Sequence, residues 1–360
     1  MERKKIGIVT IAPGGGWNTV RKRWEEYFDE IKDVDFRFYH IEEYARGIHR
    51  WTVEKHRLRS LWYLAAGRAA AKNAAKDGCE TILIDTFHYS AWAPLYKNVR
   101  YLMYGDATAK QLTALRPLAS NKDAKLPKFI EWLYARGIKR LARHGTVFLG
   151  MSNWYLRGLQ EEFGIKDEQL VELPIGINLK HWKRREADSS GSGFDILFIG
   201  DPFGEKGGPI LQEVAAMPEF AECTFHFVGR TFSFENQGNC RYYNHLQAES
   251  EELLRLFSDC DVMTLPTHSD FSPNVAIEAL AMSVPVIITD VAATSDIVAD
   301  GETGRLLKRP PDKEQVRTKL LEYLRDPEML KKESAAARLR AEEKFDIEKH
   351  MERLYNYLTK

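Results

Sequence analysis

Apolar residues along this chain come in short runs, each followed by a polar or glycine-bearing loop and then by a stretch of helical spacing. KKIGIVTIA, rich in β-branched residues, opens the series. It runs into Gly14-Gly15-Gly16, and Asn18 to Ile31 then carries a helical pattern. VDFRFYHI, TILIDTF, VRYLMYG and TVFLGMS read as further strands. Helical stretches lie between them, such as SLWYLAAGRAAAKNAAKDG, which ends on Gly78. Residues 183–193, KRREADSSGSG, are charged and then Ser/Gly-rich, the signature of a linker. The alternation then restarts. FDILFIG, TFHFVG, VMTLP and VPVIITD read as strands, and Pro209–Met217, Ser250–Phe257 and Val275–Met282 as helices. After Pro311 the pattern is helical, broken at Asp326-Pro327 and near Lys344–Asp346. The last helix puts Ile347, Met351, Leu354 and Leu358 on one face. Strands alternating with helices predict an α/β fold with parallel sheets. The expected domains are 1–183 and 184–345, with 346–360 as a terminal helix.

Composition supports two domains. A chain of 360 residues with 44% hydrophobic and 29% charged content fits an ordinary globular protein with two cores. No apolar run reaches the ~20 residues of a membrane span. The basic, apolar start MERKKIGIVTIAPGGGW is short, ends in a glycine loop and lacks a cleavage site, so a first strand is expected rather than a signal peptide. Cys79, Cys223, Cys240 and Cys260 are widely spaced and form no CxxC pair. This predicts neither a disulfide framework nor a zinc site and suits a reducing cytoplasm.

The net charge of zero hides an asymmetry. Of the 52 Lys/Arg, 31 lie in residues 1–183 against 21 Asp/Glu, so the halves carry +10 and −10. This implies either different partners or two domains that attract each other. Residues 110–143 hold nine basic residues against two acids, with Lys128, Arg136, Lys139, Arg140 and Arg143 at near-helical spacing and Phe129, Ile130, Leu133 and Leu141 on other positions. Residues 45–72 add seven against one, among them Trp51, Trp62 and Tyr63. Such a face suits an anionic membrane surface or a polyanionic acceptor, or it is simply solvated. No nucleic-acid recognition motif accompanies it.

Three stretches carry candidate chemistry. In SDFSPNVAIEALAMSVPVIITD, Ser272-Pro273 reads as an N-cap and first helical residue, so the helix start offers free N–H groups and a positive dipole end. Asp270 precedes this start. Glu278 lies roughly 9 Å along the helix at 1.5 Å per residue. The two acids are too far apart for one atom but could hold two polar parts of an elongated ligand with an anionic middle. Equally, they could be a surface acid and a buried Glu paired with a base. In FDILFIGDPFGEKGGPIL a strand ends at Gly200, and Lys206-Gly207-Gly208 opens a helix. Its glycines permit close approach to a phosphate and its lysine supplies charge. It is neither a Walker A loop nor GxGxxG. The third, VELPIGINLKHW, is a short strand and a turn. Asp259-x-Asp261 has the letters of a metal-binding DxD but reads as a helix end and strand start, so no metal site is expected.

Taken in order, these stretches resemble the family-4 glycosyltransferases of GT-B fold. PIGIN stands for the family's turn, GDPFGEKGG for its phosphate loop, DFSPNVAIE with SVPVIITD for its acidic motif, and VADGETGRLL for the loop that follows. The likeness covers Ser152 to Lys360; over the first half it rests on the opening strand and Gly14-Gly15-Gly16. It implies two Rossmann-like α/β/α domains facing across a cleft, an N-terminal acceptor domain, a C-terminal donor domain and a terminal helix crossing back. The implied reaction moves a hexosyl group from a UDP- or GDP-type sugar to an acceptor hydroxyl, with retention and with neither metal nor cofactor. Asp270 would contact donor-sugar hydroxyls and Glu278 the ribose. Backbone N–H groups of Phe271, Ser272, Pro273 and Asn274 would meet the sugar and diphosphate. Lys206 would neutralise the departing diphosphate, and Gly207 would belong to the donor-binding loop. From the first half, Gly15, Gly16, His88 and Asp106 would face the donor. The sequence departs from the family in having Asp270 for glutamate, Val284 for glycine and Asp201 for an arginine, whose charge Arg230 or Arg21 would have to replace. A sugar-nucleotide epimerase of the same fold and a non-catalytic sugar-nucleotide or glycan binder are the alternatives. The implied location is the cytoplasm, with attachment to the inner face of the membrane an option.

Overall fold

The computed structural model describes residues 3–11, 16–44, 59–85, 91–115, 128–184 and 193–360. They form two compact units. The first is built from residues 3–114, 128–175 and 348–360, the second from 176–347.

In the first unit the apolar runs become β1 (Lys4–Thr10), β2 (Val34–His40), β3 (Thr81–Asp85), β4 (Arg100–Gly105), β5 (Val147–Gly150) and β6 (Leu170–Glu172). They pair in parallel in the order β2-β1-β3-β4-β5-β6. All five residues of β3 are buried, as expected of a central parallel strand covered on both faces. The helix Asn153–Phe163 shows how the sequence sets its own limits. Ser152 accepts the Tyr155 N–H at 3.2 Å at its start, and Gly164, at φ 67°, closes it with an N–H to the Gln160 carbonyl at 2.8 Å.

The second unit holds β7 (Phe194–Ile199), β8 (Cys223–Val228), β9 (Cys240–Tyr243), β10 (Val262–Leu265), β11 (Val286–Thr289) and β12 (Gly304–Leu307). This sheet is also parallel, in the order β12-β11-β10-β7-β8-β9, and buries its own core. Strands β9 and β12 were not expected from the sequence. VADGETGRLL, read as a loop, ends in β12.

The division between the units falls after Ile175 rather than at Lys183. Ile177 and Trp182 are buried in the second core and carry their segment with them. Arg184 anchors the start of the predicted linker by donating to the carbonyls of Ser258, Cys260 and Ser283. The chain leaves the second unit beside its entry point: the Ile177 N–H donates to the Phe345 carbonyl at 2.6 Å, and the Ile347 N–H donates back to the Ile177 carbonyl at 3.0 Å. Residues Glu348–Lys360 then belong to the first unit. Met351, Leu354 and Leu358 of the helix Ile347–Thr359 are buried there, at the spacing the sequence shows.

Candidate active site

The strand order of the second sheet places a topological switch point between β7 and β10, the position where open α/β sheets bind ligands beyond the strand carboxyl ends. Two of the expected residues meet there. The loop after β7 turns back on itself, with the Lys206 N–H donating to the Pro202 carbonyl at 3.0 Å. It is pressed onto the segment after β10. Gly207 has φ 84°, and a Cβ on it would stand 2.0 Å from the Pro266 carbonyl oxygen. His268 N–H donates to the Glu205 carbonyl at 2.9 Å, tying the two loops together. The Lys206 ammonium therefore reaches the Ser269 carbonyl at 3.3 Å and forms an ion pair with the Asp270 carboxylate. Their side chains are only 18% and 16% exposed, so the pair is partly desolvated and its attraction is stronger than at an open surface.

The helix after Asp270 runs Asn274–Ala281. Its N-cap is Pro273 (φ −69°, ψ 112°), which makes no side-chain cap, rather than the expected Ser272. Pro273 lies outside the helix and has no N–H, so the amide donors here are Phe271, Ser272 and Asn274, and Pro273 cannot be one of them. The first amides of a helix have no intrahelical partner, so this start suits an anion. Phe271 is held by its carbonyl, which accepts the Ala293 N–H at 3.0 Å. The Asn274 Oδ1 is buried and has no hydrogen-bond partner among the described residues. Glu278 is half-buried, while Ala276, Ile277, Ala279, Leu280 and Ala281 around it are buried. It sits at the margin of the packed face and not inside the core.

Asp201 and Arg230 lie on the other side of β7, towards β8. The Asp201 carboxylate accepts N–H groups of Arg230 and Thr231 and the Thr231 hydroxyl. The Arg230 guanidinium stands 3.8 Å from it and is 79% exposed.

In the first unit Asp106 follows β4 and is half-buried, and Gly16 opens the helix Gly16–Glu30. Gly15 and His88 lie outside the described residues. Arg21 pairs with Glu25 at 3.6 Å and with Glu42 at 3.9 Å. The sequence reading missed Asp85. It ends β3 beside the end of β1, at the switch point of the first sheet. Its Oδ2 accepts the Thr10 hydroxyl at 2.8 Å, and its Oδ1 is buried with no partner among the described residues. Burial, reinforced by the Asp106 charge and opposed by the Thr10 hydrogen bond, pushes this carboxyl up to about 8. The only signal in sequence is an acid closing the apolar run TILID.

Of the DxD letters, Asp259 ends the helix Glu251–Asp259, and Asp261 accepts the Asp195 N–H at 2.8 Å. Among the described residues no group of three His, Cys, Asp or Glu stands close enough to hold a metal ion.

Two doubly wound parallel units of this kind are the fold of the GT-B glycosyltransferases. Sucrose-phosphate synthase from Thermosynechococcus elongatus matches with a TM-score of 0.72 at 19% identity, over 99% of both chains. HepE from Anabaena, solved with UDP and glucose, matches with a TM-score of 0.66 at 14% identity, over 99% of this chain and all of the other. Residues 183–340, which lie within the second unit, match the family described as glycosyl transferases group 1. The capsular polysaccharide biosynthesis glycosyltransferase CapM of Staphylococcus aureus is 32% identical over 110 residues, 30% of this chain and 29% of CapM. The chain spans about half or less of the length of the curated relatives it matches.

Proposed function

We propose that this protein is a glycosyltransferase that moves a hexosyl group from a nucleotide-diphosphate sugar to an acceptor hydroxyl. The observation that carries this reading is the Lys206–Asp270 pair at the switch point of the second sheet, ahead of a helix start and inside the segment that matches the group 1 family. The helix start and Lys206 receive the diphosphate. Asp270 takes donor-sugar hydroxyls, and Glu278 takes the ribose. As the sugar carbon–phosphate oxygen bond breaks, the acceptor oxygen bonds to the same carbon from the same face. The acceptor proton passes to the leaving phosphate oxygen, so configuration is retained and no protein nucleophile, metal or cofactor is needed. The chain contributes positioning and electrostatic stabilisation of the leaving group. A UDP-type donor is favoured because HepE, of the same fold, was solved with UDP and with UDP-glucose.

The acceptor side belongs to the basic first unit, whose Asp106 and His88 would face the donor as catalytic residues. Its helix Lys128–Arg143 exposes Phe129 (59%) and Trp132 (52%), stacked at 6.0 Å, with the Arg136 guanidinium 4.9 Å over the Trp132 ring. Aromatics among cations suit peripheral contact with an anionic membrane and hence a lipid-linked acceptor, reached from the cytoplasmic side. No described helix is long and apolar enough to cross a membrane.

Titration calorimetry with UDP-, GDP- and ADP-sugars tests the donor site. One tightly bound donor, weakened by Lys206→Ala and by Glu278→Ala, is expected. Absence of binding to folded protein would refute the reading. Epimerised donor and free nucleotide formed without any acceptor would replace it with the epimerase.

A further inference from the structure

A carboxylate at the end of β7, in the same loop as Lys206, looks misplaced beside a site for a diphosphate, because two like charges close together repel strongly where water is scarce. Resting on the donor-site reading above, we propose that Asp201 is a positioning residue for the donor diphosphate. It holds the loop after β8 so that the Arg230 guanidinium supplies the second positive charge beside Lys206.

The carboxylate is fully engaged. Its Oδ1 accepts the Arg230 N–H at 3.0 Å, the Thr231 N–H at 3.0 Å and the Thr231 hydroxyl at 2.7 Å, and its Oδ2 lies 2.8 Å from the Arg230 nitrogen. These bonds turn it towards β8. Lys206 instead pairs with Asp270 of the segment that follows β10, the neighbour of β7 on the other side. The negative charge is thus spent on donors of the loop after β8, while Lys206 pairs with Asp270.

The same bonds make the two loops one body. A Cβ on Gly229 would stand 2.9 Å from the Gly200 carbonyl oxygen and 3.0 Å from Asp201 Oδ1, so only glycine fits between them. The Phe203 N–H donates to the Thr231 hydroxyl at 3.3 Å, and the Phe203 ring lies 5.0 Å from Phe232 and 5.4 Å from Phe234. The backbone of Arg230 is therefore fixed, while its guanidinium stays exposed, with its Nε 3.8 Å from Asp201. It stands at the carboxyl end of the strand next to the Lys206 loop. A planar guanidinium there can meet two phosphate oxygens at once.

The test is calorimetry with UDP, GDP and ADP and with the matching nucleosides, on Arg230→Ala, Asp201→Ala, Asp201→Asn, the double alanine variant and Lys206→Ala. Arg230→Ala is expected to weaken diphosphate binding roughly 5- to 10-fold, the scale of one lost charged hydrogen bond at an open site. Asp201→Ala should match it, the double variant should be no weaker than either single one, and nucleoside binding should not move. Asp201→Asn keeps one acceptor oxygen and should fall between, and it carries the comparison if Asp201→Ala does not fold. Unchanged or tighter binding by the Asp201 variants, or losses that multiply in the double variant, would overturn the proposal. If Lys206→Ala still weakens binding in that case, only the role of Asp201 falls. If Lys206→Ala has no effect, or no nucleotide binds, the donor-site reading falls and takes this proposal with it.

Discussion

The indole N–H of Trp24 donates to Nε2 of His350 across 3.2 Å, joining the first helix of the chain to the last. The other ring nitrogen lies 2.6 Å from the Pro174 carbonyl and donates to it. A neutral imidazole satisfies both contacts, and a protonated one cannot accept from Trp24. Burial, with help from Arg353 and Arg23, lowers this histidine to about 4. The unfolded chain then binds the proton more tightly, so stability is lost as pH falls from about 6.5 through about 4. Urea unfolding between pH 8 and pH 4.5 should show this loss. His350→Gln should cost about 1–3 kcal/mol at pH 7 and lack that part of the acid dependence.

Asp85 works in the opposite direction. Its carboxyl is held neutral to about pH 8, above its unfolded value, so its contribution is complete in acid and is lost as pH rises through about 8. Asp85→Asn, which imitates the neutral acid, should gain stability relative to the parent chain as pH is raised from 5 to 9. The gain should approach about 1.4 kcal/mol for each pH unit up to 8. A constant difference between the two unfolding curves across this range would show that Asp85 is ionised in the folded chain.

Removing either member of the Lys206–Asp270 pair should separate binding from folding. Lys206→Ala leaves a partly buried carboxylate without its main partner and an anion site without its cation. A 10- to 100-fold loss of donor affinity, about 1.4–2.8 kcal/mol, is expected with an unchanged near-ultraviolet spectrum. Asp270→Asn should keep the diphosphate affinity and weaken binding of the intact sugar donor relative to the bare nucleotide.

Gly207→Ala should fail for two reasons at one position. The backbone is left-handed, and the new Cβ would run into the Pro266 carbonyl. A loss of about 2 kcal/mol or more is expected in thermal unfolding, together with loss of donor binding, because the Lys206 loop cannot seat without this approach.

The sequence made most of the fold legible because parallel strands covered on both faces are continuous apolar runs. The two strands it hid, CRYY at β9 and GRLL at β12, are the two edges of the second sheet. CRYY is half-buried throughout and need not be apolar, while GRLL is broken as an apolar run by Arg305, buried against Glu322 and Glu333. The helix start was misplaced by one residue because Ser-Pro is a strong capping signal locally, whereas here Pro273 stays extended. The motif spacing gave Lys206 and Asp270 but not their contact, which depends on the β7–β10 crossover. Asp85 and the partners of Asp201 were invisible for the same reason: an acid at a strand end reads as the start of a loop until its surroundings are known.

The paired crossings at Ile177 and Ile347 give the second unit the form of an insertion, a cassette whose two ends lie side by side. The first unit is then a discontinuous domain, completed only when the last helix has been synthesised. On a ribosome, the second unit can close while the first still lacks Met351, Leu354 and Leu358. A chain truncated before Glu348 would therefore carry an intact second unit beside an incomplete first one, so the damage would appear in the sheet built from the earliest strands.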